Sequence, residues 1–97
     1  MNSAAMNQGN EKLKIYETVL SSPGFREKCK IVLQLSRQNI LLLSRIIEFG
    51  LEANKKDMKA DILALLSEED FDEFRKIVVE ILQKGGLTDF YQKLKLL

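Results

Sequence analysis

The sequence predicts an all-α protein, a compact four- to five-helix bundle or orthogonal array around one long central helix. Three observations predict it. Apolar residues recur at three- and four-residue spacing in most stretches from Glu11 onward. Chain breakers fall at Ser21-Ser22-Pro23-Gly24, at Gly50 and at Gly85-Gly86. Apolar residues make up 45% of the 97 positions, enough for one small core. No Pro/Gly-rich linker interrupts the chain after residue 10, so residues 11–97 read as a single helical domain. Residues 1–10 are small and polar without periodicity, and read as a flexible N-terminal tail.

The first helix is expected over Glu11–Leu20, with Leu13, Tyr16 and Leu20 along one side and Ile15 and Val19 beside them. Ser22 is then a good N-cap and Pro23 suits a first helical position, where its missing N–H costs nothing. From there the central helix is expected to run over Ser22–Gly50. Advancing about 100° per residue from Ile31 gathers Phe25, Val32, Leu33, Leu35, Ile40, Leu42, Leu43, Ile46, Ile47 and Phe49 into one arc of about 200°, with Cys29 among them. Arg26, Lys30, Gln34, Arg37, Ser44, Arg45 and Glu48 occupy the opposite arc. Leu41 is the one leucine on the polar side; Lys28, Ser36 and Asn39 intrude on the apolar side. Gly50 supplies a left-handed stop.

A third helix is expected over Lys55–Leu66, capped by Asn54 or Asp57. Ser67-Glu68-Glu69-Asp70 is a near-match to a capping box and starts a fourth helix reaching about Lys84, with Phe71, Phe74, Ile77, Val78, Ile81 and Leu82 on its apolar face. Gly85-Gly86 ends it. Thr88 is expected to cap a last helix carrying Phe90, Tyr91, Leu94 and Leu97.

Composition argues against several functions. Charged residues are 30% of the chain with a net charge of +1, an ordinary mixed surface with no overall pull toward nucleic acid or anionic membranes. There is no histidine, the usual acid/base at neutral pH and the commonest transition-metal ligand. The single cysteine, Cys29, excludes an internal disulfide and makes a zinc site within one chain unexpected. The longest apolar run, Ile40–Leu43, is far short of the about 20 residues a membrane span needs. No signal-peptide pattern opens the chain, and a cytoplasmic location is expected.

The candidate sites are few. The cluster Glu68, Glu69, Asp70, Asp72 and Glu73 suits the positive end of a helix better than a cation site, since no Asp/Asn/Gly ligand loop accompanies it. Gly85-Gly86 lacks the Lys-Ser/Thr of a phosphate loop. Cys29 reads as a small buried hydrophobe with no histidine to activate it. Arg26, Lys30, Arg37 and Arg45 form a basic stripe on the long helix, a candidate surface for a partner or for phosphates and base edges. Asn39 and Leu41 are candidates for specifying a helix–helix contact, a dimer contact included. Residues 1–60 carry ten basic and six acidic side chains, a balance of +4, and residues 61–97 carry five and eight, a balance of −3; the two parts can pair within the fold or between subunits.

Lys30-Ile31-Val32-Leu33-Gln34-Leu35-Ser36 can also be written as a short strand before a helix. That order resembles the ribbon-helix-helix class of DNA-binding dimers over a minor part of the chain. The resemblance implies that Lys30, Val32, Gln34 and Ser36 face the major groove. The wheel favours a helix here, because residues 25–35 share the arc set by residues 40–49.

No constellation supports catalysis, a cofactor, a metal or a small-molecule ligand. The expected function is a small helical protein-interaction or regulatory module, with DNA binding as the alternative. Self-association is expected from size: about 27 helical residues span about 40 Å, whereas a 100-residue domain has a radius of gyration of about 13 Å. Four short helices cannot readily cover so long and wide an apolar arc.

Overall fold

The computed structural model describes residues 3–53, 55–58 and 60–97. Among them the fold is all-α, as expected: α1 (Ser3–Leu20), α2 (Arg37–Glu52), α3 (Lys55–Met58), a 3-10 turn η1 (Ile62–Leu65), α4 (Glu68–Lys84) and α5 (Thr88–Leu94). No described residue lies in a strand. No described helix is long and apolar enough to cross a membrane. The chain divides into two units, Met1–Ile31 with Asn54–Leu66, and Val32–Ala53 with Ser67–Leu97.

In the first unit α1 packs against η1. The helix takes in residues 3–10, which composition alone places in a tail; Met1 and Asn2 lie outside the described residues. The end of α1 uses the groups that the sequence reading assigned to the next helix. The Ser22 hydroxyl donates to the Thr18 carbonyl at 2.7 Å, so it is not an N-cap. Pro23 and Gly24 form the middle of a turn closed by Phe25 N–H donating to Ser22 O at 3.2 Å. Gly24 has φ +92°, which the third position of a Pro-Gly turn requires.

The helix expected over Lys55–Leu66 is broken into α3 and η1. Asp61 caps η1, its carboxylate accepting from Leu63 N–H at 2.9 Å. Asp57 lies in the first turn of α3, and Asn54 lies outside the described residues.

The second unit contains the buried residues found among those described: Ser44, Val78, Leu82, Leu87 and Tyr91. Here α4 packs on both α2 and α5. α4 starts as expected: Ser67 Oγ accepts from Asp70 N–H at 3.1 Å, and the Asp70 carboxylate accepts from Ser67 N–H at 3.0 Å. It also ends as expected. Leu87 N–H reaches back to Leu82 O at 2.8 Å, Gly86 N–H reaches Gln83 O at 3.1 Å, and Gly86 takes φ +67°. These bonds form a Schellman stop, and the last of its residues, Leu87, is carried into the core beside Leu82. Leu87 rather than Thr88 is the N-cap residue of α5, with no side-chain bond.

The long central helix is corrected. α2 has 16 residues, Arg37–Glu52, and residues 27–36 are neither helix nor strand. Ser36 is the true start: it is extended (φ −67°, ψ 157°) and its hydroxyl accepts from Asn39 N–H at 3.1 Å. Upstream of it Ile31 and Val32 are β-branched and prefer extended backbone. Gly50 does not stop the helix, which continues through it to Glu52. An apolar arc shared by two stretches therefore did not make them one helix, because a strong cap stood between them.

Candidate interaction surface

α2 faces α4 with one edge of the wheel's apolar arc, where Ile40 and Ile47 lie, and with the part of the polar arc next to it, where Leu41 and Ser44 lie. Ile40, Leu41 and Ile47 pack against the core of Val78, Leu82, Leu87 and Tyr91. Between them Ser44 is 0% exposed. Its hydroxyl donates to the Ile40 carbonyl at 2.8 Å, so burial leaves no unmet polar group. A small side chain at 44 lets α4 come close, and Gly85 is small for the same reason: a Cβ there would stand 2.9 Å from Ile40 Cδ1. Leu41 is thus a core residue, not a stray leucine on a polar face.

One polar cluster locks α5 to the same side of α2. The hydroxyl of buried Tyr91 donates to the half-buried Glu48 carboxylate. Lys95 Nζ lies 3.3 Å from the other carboxylate oxygen and 5.3 Å from the Tyr91 ring centre. Burial pushes the Tyr91 hydroxyl up to about 12 from its ordinary 10.0, and the Glu48 hydrogen bond and charge push the same way, against Arg45. Sequence reasoning missed this cluster, since residues 43 to 47 positions apart carry no local signal. Ser44 did leave one, as a small residue among leucines and isoleucines.

The opposite side of α2 is bare. Leu42, Ile46 and Phe49 lie four and three residues apart, within one narrow stripe of the helix. They are 52%, 67% and 65% exposed. The guanidinium of Arg45 lies 5.6 Å from the Phe49 ring centre, and it pairs with Glu52 at 3.7 Å. Before the helix, Ile31, Val32 and Leu33 are exposed too, Val32 at 81%. The wheel had placed all six of these residues in the buried arc.

The basic residues expected along one helix are not on one helix. Arg26 and Lys30 lie outside any helix in the first unit, Arg37 opens α2 and Arg45 sits midway along it, so no basic helix stripe exists. Asn39 is exposed and serves the cap through its backbone rather than intruding on a core. Cys29 is exposed, not buried. The acids after Ser67 occupy the first turn of α4, and no group of three His, Cys, Asp or Glu among the described residues is placed to hold a metal. A shallow open depression along α4, lined by Arg75, Lys76, Val79, Glu80 and Gln83, holds no nucleophile or base pair. Comparison with family models, curated proteins and solved structures gives no match.

Proposed function

We propose that the chain is a non-catalytic protein-interaction module that works as an assembly of more than one chain, with the Leu42–Ile46–Phe49 side of α2 as its interface. One observation carries this reading: α2 is apolar on two opposite sides, and α4 with α5 cover only one. Burying what these three side chains expose recovers about 1–2 kcal/mol each in every chain that associates, a gain that works against the cost of association. The exposed thiol of Cys29 suits a reducing compartment.

The test is the melting midpoint followed by circular dichroism over a hundredfold range of protein concentration. A self-associating protein melts at a higher temperature when concentrated. The wild-type midpoint is expected to rise with concentration and that of Ile46→Glu to stay fixed. A wild-type midpoint independent of concentration overturns the reading.

A second reading, a DNA-binding regulator, is favoured by the finding that residues 27–36 are not helical. The wheel was the argument against a strand there, and it no longer applies. Lys30 and Gln34 would then face the groove. Binding to non-specific DNA that weakens steeply with salt supports it. No binding at low salt removes it.

A further inference from the structure

We propose that two copies pair antiparallel through their α2 helices, in the register that sets Arg45 of each copy beside Glu52 of the other. The proposal rests on the self-association above and names its partner, a second copy, and its register. Every residue it uses belongs to the second unit.

The helix supplies the seam. Asn39, Leu42, Ile46, Phe49 and Ala53 follow one another at steps of three, four, three and four, the spacing of a helix–helix seam. All five are exposed. They lie about half a turn round α2 from Ser44, the residue at the centre of the side that packs on α4.

Charge identifies the occupant. Arg45 and Glu52 lie on one flank of the seam, two turns apart, and Leu43 and Gly50 lie on the other. Arg45 and Glu52 pair within the chain at 3.7 Å, and both stay more than half exposed, so both can serve a partner. In an antiparallel pair of helices like flanks meet. Setting Ile46 level with the partner's Phe49 also sets Leu42 level with the partner's Ala53. Arg45 then stands about 3 Å along the axis from the partner's Glu52. Helical side chains lean toward their own N-terminus, so these two lean toward each other. The two-fold repeats the pair at the other end of the seam.

Other pairings lose this match. Sliding one copy by seven residues levels Ile46 with the partner's Leu42, but it sets Arg45 against Arg45 and Phe49 against Asn39. A parallel pair opposes unlike flanks, so Arg45 faces the partner's Gly50 and finds no acid there.

Gly50 fits the same register. α2 runs straight through it, although glycine weakens a helix relative to alanine. Within its own chain a Cβ at Gly50 would meet nothing within 4 Å. In the proposed pair Gly50 lies beside the partner's Leu43, where a missing side chain lets the helices approach. Leu42, Ile46 and Phe49 expose on the order of 400 Å² per chain, about half of a standard interface. The dimer is therefore a reversible one.

Charge exchange in the full chain tests the register by sedimentation equilibrium. Arg45→Glu sets acid against acid across the seam, and Glu52→Arg sets base against base. Each is expected to dimerise about tenfold more weakly than the wild type. The double variant Arg45→Glu/Glu52→Arg is expected to return to wild-type affinity. An equimolar mixture of the two single variants decides the matter. It restores both pairs between chains while each chain keeps a repulsive pair within itself, and it is expected to associate at least as tightly as the wild type. A mixture no tighter than its components overturns the register and leaves the association standing. So do single variants that dimerise like the wild type, or a loss at Arg45→Glu alone that the double variant does not rescue. A wild type that is a monomer at every concentration overturns both.

Discussion

The two sides of α2 differ in a way that composition alone would rank wrongly. The side that packs on α4 carries Ser44 and Glu48 among its apolar residues, and the bare side carries Leu42, Ile46 and Phe49. Size and hydrogen bonding decided the matter. Ser44 is small enough for close helix packing and satisfies its own hydroxyl, while Glu48 finds Tyr91 and Lys95. Three bulky residues were left for a surface that α4 and α5 do not cover. A polar residue on a helix therefore does not mark the solvent side when its polar atoms have partners.

The comparison breaks most sharply at Leu82, which the packed side of α2 helps to bury. Leu82→Ala is expected to cost about 2–5 kcal/mol in urea unfolding, whereas Leu42→Ala on the bare side costs the isolated chain under about 0.5 kcal/mol. Equal losses at high dilution would mean that the two sides are not different. Ser44→Leu comes next. It adds volume where α4 approaches, and is expected to lose about 1–3 kcal/mol although it makes the helix more apolar. A more stable Ser44→Leu would contradict the close-packing account.

Ser36→Ala sharpens where both sides begin. It is expected to cost about 1 kcal/mol and to fray the first turn of α2, read as faster amide exchange at Asn39. The smallest effect at neutral pH belongs to Tyr91→Phe, which appears in alkali instead. The native state holds the Tyr91 proton up to about 12, above its ordinary 10.0. The stability this provides is fully present below pH 10 and is lost as the pH rises toward 12. Wild type should therefore lose stability more steeply than Tyr91→Phe across that window. Parallel curves would mean that Tyr91 is not held as described.

Much of the second unit was legible because its signals are local. The Ser67–Asp70 box, the Gly85-Gly86 stop and the periodic face of α4 each lie within a few residues. The all-α class followed from the same periodicity. What misled was continuity. Residues 25–35 and 40–49 share a wheel arc, but a wheel records angles and not whether the backbone between is helical. Ser36 carried the missing signal, being a cap residue just before the strongest apolar periodicity. The orientation of α2 was not legible, because its partners Gly85, Tyr91 and Lys95 are remote in the chain and the wheel alone cannot say which part of a 200° arc a neighbour will cover.

Sedimentation equilibrium of the wild-type chain against Ile46→Glu tests the central claim most directly. The account predicts a wild-type mass that climbs to twice the chain mass with concentration, while Ile46→Glu stays at one with unchanged helix content. A wild type that remains a monomer at the highest concentration, with Leu42, Ile46 and Phe49 in water, would contradict it.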